Sequence, residues 1–455
     1  MRFTIAEGLT LDVSHLYGPA WAVTDEDIEE AEPEIREAAE ILKSIRETGK
    51  APAGETVRFP RLLSLFEDDE LWTVSEKERL TELRAYAETV DAVISVGIGG
   101  SYLGNRVLCD ACSAGKPDKK HRLSVYFAGY TADPEAMGFL LSSLKAEAAK
   151  KGAPYRVLVI SVSKSGTTIE PAAALSVLLR ELPHIADETR YAAVTDRGHN
   201  ILHGMCHEND WLHFYVPEGI GGRFSVLSQV GMIFATAIGL DTEKIFAGAR
   251  AAEASCQSEN PRENPAFFLA LLKYLATMRH GIATEITMPY GERLRTFAQW
   301  YAQLLGESLG KKNDWDGNVV HYGRTPVCAV GTTDMHSVTQ EHQEGKRDKL
   351  LQFISVLHPV FDTETEITED GKQICVPMSV IHHAALYANA EALACDKRMS
   401  VILETETVDE YHLGALFYFF ELAIAYEGAL AHVNAYDQPG VEKYKTFLHG
   451  ELKRK

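Results

Sequence analysis

The sequence predicts an α/β protein whose parallel sheets are flanked by helices. Short apolar runs that end in Gly, Ser, Thr or Asp recur along the chain, as in "DAVISVGIGGS", "RVLVISVSKSGTT" and "RYAAVTDRGHN", and a stretch of helical character follows each run. This alternation is typical of βαβ units on a parallel sheet. Because a chain of 455 residues is too long for one small core, we expect two such units.

The strand-like runs fall into two series along the chain. We place the first unit at residues 81–230 and the second at residues 231–455, where "IATEITMP", "PVCAVGTT" and "MSVILET" are the predicted strands. We expect the acidic segment 1–80 to wrap back onto the second unit. The result is a prediction of two α/β/α sandwiches.

Composition and charge exclude several classes of function. The formal net charge is −20 and Lys and Arg form no dense run, so we do not expect a nucleic-acid partner. The N-terminal stretch has no basic or continuous apolar run, and Glu421 and Glu427 interrupt the most apolar later segment, so neither an export signal nor a membrane span is predicted. Seven scattered cysteines are typical of free thiols in a reducing compartment, which predicts a cytoplasmic protein.

The loop "SVSKSGTTIEP" leaves a predicted strand and enters a predicted helix. Loops at the carboxyl ends of parallel strands bind ligands, and free N–H groups at a helix start favour a phosphate. We predict a capping box between Thr167 and Glu170. The side chains that could contact the anion are Ser163, Lys164, Ser165, Thr167 and Thr168. A polar, Ser- and Gly-rich turn with a good cap would explain the same pattern, so the pattern alone leaves both alternatives open.

Two glycine-rich stretches do not meet the requirements of nucleotide-binding motifs. "GIGGSYLG" has Tyr102 where the dinucleotide fingerprint needs Gly. "GESLGKK" has three residues between its glycines, where the P-loop needs four, and lacks the hydroxyl after Lys. We therefore expect neither a dinucleotide site nor an ATP site.

The sequence also contains two weak metal-binding patterns. His199, His203 and His207 have helical spacing that could place three imidazoles on one face. Gly204 weakens that helix, and the H-E-x-x-H order is missing. "CDAC", Cys109–Cys112, is a lone C-x-x-C without a second pair at zinc spacing. We predict a packing role for the two cysteines and no metal site.

Five ionisable or polar side chains outside the phosphate loop are candidates for chemistry. Glu307 lies on the flank of an apolar helical stripe in "ERLRTFAQWYAQLLGESLGKK", where a half-buried carboxylate could act as a base. Arg223 ends a second glycine loop, "GIGGR", and His336 follows a strand end. Gln438 and Lys445 lie in "NAYDQPGVEKYK". Taken one at a time, each residue also has a structural explanation. Glu307 suits a solvated Glu near a helix end, His336 suits a core or capping His, and Gln438 and Lys445 suit a turn before a charged helix.

Together these segments resemble the phosphoglucose isomerase family, whose members interconvert glucose 6-phosphate and fructose 6-phosphate. Six segments match in the family's order: "GIGGS", "SKSGTTIEP", "EGIGGRFSVLSQVG", "GESLGKK", "GTTDMHSVTQ" and "AYDQPGVEKYK". The resemblance covers essentially the whole chain, and the compact length is similar to the shorter bacterial branch. Pro439 replaces the aromatic residue that follows the Gln in longer members, a change expected at the edge of the pocket.

The resemblance implies a role for each catalytic candidate. It gives Glu307 the proton transfer between C1 and C2 through an enediol or enediolate. It gives His336 and Lys445 the opening of the sugar ring, since most sugar arrives cyclic. Arg223 would stabilise the oxygen that becomes negative, and Gln438 would hold hydroxyls or water near C1.

The resemblance further implies the substrate contacts and the assembly. Gly100 and Ser101 would approach the sugar, and the "SKSGTT" loop would hold its phosphate. The implied enzyme has two sugar-isomerase-type domains, needs no cofactor and forms a homodimer in which His336 reaches the partner's pocket. The two glycine loops would then let backbone approach one small sugar while their last residues differ in role.

Two other functions stay open at this level. A metal-dependent sugar isomerase would need a cluster of His and Glu ligands, and the segment 199–207 is the candidate that the sequence offers. A non-catalytic sugar-phosphate sensor would share the phosphate loop without needing Glu307, His336 and Lys445. Because all three residues are present, catalysis is the favoured prediction.

Overall fold

The computed structural model describes residues 1–67, 70–112, 123–152, 154–198 and 200–454. The strands are β1 (Arg2–Ala6), β2 (Leu9–Asp12), β3 (Ala92–Val96), β4 (Ser124–Ala128), β5 (Arg156–Val162), β6 (Glu188–Thr195), β7 (Leu212–Tyr215), β8 (Thr284–Pro289), β9 (Lys311–Asn313), β10 (Val319–Tyr322), β11 (Thr325–Cys328), β12 (Lys349–Val356), β13 (Glu364–Glu369), β14 (Lys372–Pro377) and β15 (Met399–Thr405). The helices are α1 (Asp25–Glu30), α2 (Glu32–Thr48), α3 (Leu62–Glu67), α4 (Val74–Ala87), α5 (Gly100–Cys112), α6 (Pro134–Lys151), α7 (Ile169–Glu181), α8 (Ile201–Glu208), α9 (Gln229–Ala237), α10 (Thr242–Ser255), α11 (Pro265–His280), α12 (Arg295–Leu309), α13 (Met335–Glu344), α14 (Met378–Cys395), α15 (Glu410–Leu430) and α16 (Glu442–Leu452).

The first sheet consists of parallel strands in the order β4-β3-β5-β6-β7. Successive residues of β3 join different apolar clusters, Val93 in one and Ile94 in the other, so both faces of the sheet are covered. Burial on both faces explains why these strands read as continuous apolar runs. Val96 pairs with Ser161, so the loops after β3 and β5 leave the sheet side by side.

The second sheet has the order β1-β2-β15-β12-β8-β11. Its strands β15, β12, β8 and β11 are parallel, whereas β2 pairs antiparallel with β15 and places Leu11 opposite Leu403. The N-terminal residues therefore extend this sheet. The three predicted strands of the second series correspond to β8, β11 and β15, and the predicted α/β fold class is confirmed.

The predicted division into segments 1–80, 81–230 and 231–455 stays a prediction, and two helices bear on it. Helix α4 crosses position 80 and packs against β7, and α9 crosses position 230 and packs against α5 and α4. These contacts associate both helices with the first sheet. A boundary after α9 and before α10 would leave α9 uncut, and one before α4 would leave α4 uncut.

Helix α15 is the central helix of the apolar core. It packs against α2, α10, α11 and α12, and every residue except Tyr411 is buried. Among the described residues it is the one helix long and apolar enough to cross a membrane, and its most apolar window lies wholly inside the protein. Its apolar composition is therefore explained by burial in the core.

One acid on α15 is buried without compensation. Both carboxylate oxygens of Glu421 lack a hydrogen-bond partner within the described ranges, and burial raises the pKa of Glu421 well above its ordinary value. The folded state therefore holds a proton that the unfolded chain has already released as the pH rises above about 4.5. Stability is lost as the pH rises from there towards the folded-state pKa.

We expect Glu421→Met to stabilise the protein at neutral pH by about 1–3 kcal/mol, the cost of an unsatisfied buried polar group. The gain should shrink as the pH falls towards 4.5, where the unfolded carboxyl is also protonated. Urea unfolding between pH 4.5 and 8 measures both effects. Glu427→Met is the matched control, because Glu427 pairs with Arg324 and its loss should destabilise. An equal gain at every pH would contradict the account.

Four charged residues, one each on α11, β8 and α15 and one just before β11, form a buried ion network. Lys273 Nζ lies 2.6 Å from Glu285 Oε1, Arg324 Nη2 lies 2.8 Å from Glu285 Oε2, and Arg324 Nη1 lies 2.5 Å from Glu427 Oε1. Burial alone would raise the pKa of Glu285, but Lys273 and Arg324 lower it to about 2. Tyr301 of α12 donates to Glu285, which connects the network to the helix that carries Glu307.

Candidate active site

The two glycine loops lie in backbone contact. "GIGGS" follows β3 and starts α5, whereas "GIGGR" follows β7 and ends in a short 3-10 turn. A Cβ on Gly100 would come within 2.0 Å of Gly222 O, so only glycine allows this approach. Lys164 Nζ donates to Ile220 O at 3.1 Å, which ties the phosphate loop to the second glycine loop. The loops that follow β3, β5 and β7 therefore meet at the carboxyl end of the first sheet.

The predicted phosphate loop is closed by its own hydroxyls. Ser163 Oγ accepts from Gly166 N at 3.2 Å, and Thr167 Oγ1 donates to Ser165 Oγ at 3.0 Å. Ser163 is buried, while the neighbouring hydroxyl residues are half-buried or exposed towards solvent. The loop leads directly into α7, whose positive end faces it.

The predicted capping box is wrong. The N-cap of α7 is Thr168, its side chain makes no capping bond, and the third helical position is Pro171 instead of an acid. Thr167 lies one residue before the N-cap, and its hydroxyl donates to Ser165 Oγ within the loop. Without a side-chain cap, the first N–H groups of α7 are available to an anion.

Arg223 is the most enclosed of the catalytic candidates, with 2% of its side chain exposed. Nε donates to Ser308 Oγ at 2.7 Å, and Nη1 donates to Gln438 Oε1 at 3.0 Å and to Glu307 Oε2 at 3.3 Å. Nη2 donates to two backbone carbonyls of the 435–437 segment. Burial lowers the pKa of Arg223, and Glu307 opposes that shift. The guanidinium is thus a fixed cation beside the candidate base.

Glu307 is held on both sides at the end of α12. Its Oε1 accepts from Gln303 Nε2 at 2.8 Å and its Oε2 faces Arg223. The carboxylate keeps 31% exposure, so it can reach a ligand in the cleft. The apolar stripe predicted to flank Glu307 is buried as expected: Leu294, Phe297, Trp300, Tyr301, Leu304 and Leu305.

Three residues that shape this cleft were not predicted from the sequence: Gln303, Lys311 and Asp437. Gln303 orients Glu307, and a Cβ on Gly99 would come within 3.0 Å of Gln303 Nε2, so Gln303 also faces the first glycine loop. Lys311 Nζ donates to Glu307 O at 2.9 Å and to the carboxylate of Asp437 at 2.8 Å. Burial lowers the pKa of Lys311, and Asp437 opposes that shift. The i, i+4 spacing of Gln303 and Glu307 was the available signal.

Two candidate substrate contacts, Ser101 and Gln438, lie at the rim of the cleft. Ser101 is half-buried in the first turn of α5, one residue past the contact between Gly100 and Gly222. Gln438 is exposed but its Oε1 accepts from Arg223. The cleft thus gathers Gly100, Ser101, Arg223, Glu307 and Gln438, with the phosphate loop linked through Lys164.

The chain does not bring His336 to this cleft. Leu309, two residues after Glu307, lies against Gly323 at the amino end of β11. His336 is exposed in the first turn of α13, shortly after Gly331 pairs with Tyr290 past the carboxyl end of β8. Glu307 and His336 therefore lie at opposite ends of β11.

Lys445 is also separate from the cleft residues. It is exposed on α16, where its Nζ pairs with Glu442 Oε1 at 2.8 Å. None of the described residues of α16 is buried. Tyr444, Phe447 and Leu452 are exposed and fall on one face of the helix.

The weak metal patterns receive no support from the geometry. His203 and His207 are in contact, with Nε2 atoms 3.2 Å apart, and His199 lies outside the described residues. No group of three His, Cys, Asp or Glu residues within the described ranges is arranged to hold a metal ion. Cys112 is buried and Cys109 packs against the same apolar cluster, which confirms the packing role predicted for "CDAC".

Comparison with known proteins gives consistent results. A family model for phosphoglucose isomerase matches residues 68–401. A glucose-6-phosphate isomerase of Acholeplasma laidlawii is 34% identical over 398 residues, 84% of this chain and 87% of the relative. One from Heliobacterium modesticaldum is 31% identical over 447 residues, 95% of this chain and 94% of the relative.

A solved structure supports the same relationship. The crystal structure of a glucose-6-phosphate isomerase from Chlamydia trachomatis matches with a TM-score of 0.77 at 25% identity, and the match covers 98% of this chain and 89% of that one. Family model, sequence relatives and fold agree over most of the chain. The chain belongs to the phosphoglucose isomerase family.

Proposed function

We propose that this protein is an enzyme that interconverts glucose 6-phosphate and fructose 6-phosphate in glycolysis and gluconeogenesis. The observation that carries the proposal is the placement of Glu307 between Gln303 and the buried cation Arg223, beside two glycine loops and a phosphate loop. Isomerisation needs a base next to a fixed positive charge, and this cleft provides that pair. A coupled assay on fructose 6-phosphate, with and without EDTA, tests the activity.

The proposed chemistry follows from two neighbouring side chains in the cleft, Glu307 and Arg223. Glu307 removes the proton at one carbon and returns it to the other, and Arg223 stabilises the negative oxygen of the intermediate. Removal of one such donor commonly raises the barrier by about 3–4 kcal/mol. Because a fixed guanidinium supplies the positive charge, the proposed reaction requires neither a metal nor a cofactor.

Lys445 is proposed to act in ring opening after α16 docks onto the body of the protein. Docking would bury the apolar face formed by Tyr444, Phe447 and Leu452, which is exposed here and would be stabilised by burial. Lys445 lies on the edge of that face, so docking could turn its amine towards the cleft. Gln438, which accepts from Arg223, would anchor the start of this segment near C1.

His336 is proposed to serve the pocket of a partner subunit in a cytoplasmic homodimer. Its position at the far end of β11 from Glu307 favours a contribution in trans. Exposed apolar residues follow β12 and begin α14 at the same end of the sheet: Val360, Phe361, Met378, Val380 and Ile381. A cluster of this kind marks an interaction surface, which supports an interface between two copies.

We expect Ser163→Ala and Thr168→Ala to raise KM for fructose 6-phosphate by about three- to tenfold with little change in kcat. Phosphate contacts exist both before and during the reaction, so their loss removes uniform binding worth about one hydrogen bond. Steady-state kinetics measure the effect. Ser142→Ala on α6, whose hydroxyl bonds only its own helix, is the control. A variant that keeps KM and loses only kcat would refute the phosphate assignment.

A further inference from the structure

Two polar residues lie directly behind the phosphate loop. Thr195, fully buried at the end of β6, donates through Oγ1 to Ser163 O at 2.8 Å. Asn200 Nδ2 donates to Thr195 Oγ1 at 3.1 Å. Asn200 is also the N-cap of α8, because its Oδ1 accepts from His203 N at 2.9 Å. A chain of hydrogen bonds thus runs from the start of α8 to the first residue of the loop.

Asn200 also supports the turn in the middle of the loop. Gly166 has φ of +66°, and a Cβ there would come within 2.5 Å of Asn200 Oδ1. Gly166 N in turn donates to Ser163 Oγ. The carboxamide of Asn200 therefore touches the point where the loop turns back, and Thr195 holds the point where it begins.

Backbone hydrogen bonds also hold the start of the loop, from Ser163 N to Val194 O at 3.0 Å and from Asp196 N to Lys164 O at 3.2 Å. A cavity of about 460 Å³ lies between α7 and α8, and its lining includes Ser163, Gly166 and Thr168 together with apolar residues of both helices. Side chains beside a cavity lack packing partners on one side. Because packing is incomplete there, the side-chain hydrogen bonds of Thr195 and Asn200 add to these backbone bonds in fixing the shape of the loop.

We propose that Thr195 and Asn200 are positioning residues that hold the phosphate loop in the shape that accepts a phosphate group. This inference rests on the proposed function, since it assumes that the loop binds the substrate phosphate. Neither residue touches the substrate. A loop ordered in advance binds more tightly because less conformational entropy is lost on binding. Phosphate contacts persist through the reaction, so the effect falls on KM.

The Asn200 experiment separates this role from helix capping. Asn200→Ser keeps an oxygen that can cap α8 but lacks the Nδ2 donor and the contact with Gly166. We expect KM for fructose 6-phosphate and the inhibition constant of inorganic phosphate to rise together by about three- to tenfold, the effect of one lost hydrogen bond. We expect kcat and the thermal midpoint to stay near wild type. Asp241→Ser, the same kind of cap exchange at α10, is the control.

The Thr195 pair provides a second test that conserves shape. Thr195→Ser keeps the hydroxyl and should keep KM, whereas Thr195→Val has the same shape without the donor and should raise KM and the phosphate inhibition constant. If Asn200→Ser and Thr195→Val leave both constants unchanged while Ser163→Ala raises KM, the positioning role is refuted and the phosphate loop stands. If Ser163→Ala also leaves KM unchanged, the proposed phosphate loop itself fails.

Discussion

Glu307→Gln should lower proton exchange at C2 of an open-chain aldose phosphate by at least about a hundredfold, the lower end of general-base effects. The amide keeps the shape and can still accept from Gln303, but it cannot take a proton. His336→Ala should lose turnover of cyclic fructose 6-phosphate yet still exchange the C2 proton of the open-chain sugar, since Glu307 remains. Deuterium incorporation from solvent, followed by NMR, measures exchange in both variants.

Glu292→Gln is a suitable control because Glu292 is exposed just before α12 and should behave as wild type. Exchange at the wild-type rate in Glu307→Gln would mean that the base is elsewhere. Loss of open-chain exchange in His336→Ala would contradict the division of labour. Mixing the two inactive variants tests the pocket shared between subunits: random pairing should restore about a quarter of the wild-type sites, and no recovery would place His336 in its own subunit's pocket.

Gly100→Ala should reduce kcat/KM by about a hundredfold or more, because the new methyl group would overlap the carbonyl of Gly222. Backbone meets backbone there, so the overlap is relieved only by moving one glycine loop relative to the other, which shifts Arg223 relative to Gly100 and Ser101. A shift of about 1 Å in a catalytic group can cost this much. Steady-state kinetics check the loss, and circular dichroism checks that the variant is folded.

The control for this variant is Gly306→Ala, which is adjacent to Glu307 and meets only Pro326 at an ordinary 3.7 Å. It should stay near wild type in activity and gain stability, because Ala favours a helix over Gly by about 1 kcal/mol. Equal activity of Gly100→Ala and Gly306→Ala would show that the contact between the glycine loops does not position Arg223.

The fold class could be predicted because it depends on local patterns. Apolar runs followed by small polar residues mark the ends of parallel strands, and the buried stripe beside Glu307 follows from helical spacing alone. The capping box failed because α7 begins one residue later than that box requires, with Thr168 as the N-cap and Pro171 at the third helical position. The boundary at position 230 stays a prediction, because nothing in the residues of α9 distinguishes packing on one sheet from packing on the other.

The residues of the site were easier to predict from the sequence than the contacts that they make. Arg223 was identified, but its hydrogen bonds reach the 435–437 segment more than two hundred residues away. Lys311 was not singled out within the "GESLGKK" segment, and its bonds to Glu307 and Asp437 depend on tertiary structure. Thr195 and Asn200 resemble ordinary strand-end and cap residues, so their support of the phosphate loop is visible only once the chain is folded.

The buried ion network also acts as a check on strand register. Glu285 projects from β8 between Lys273 and Arg324, and a slip of β8 by one residue would replace it with Thr284 or Ile286. Two buried cations would then lose their shared counter-charge, a change that typically costs about 3–5 kcal/mol. Misaligned pairings of the second sheet are thereby penalised. Since α12 follows β8 directly, alignment of this strand also decides where the helix delivers Glu307.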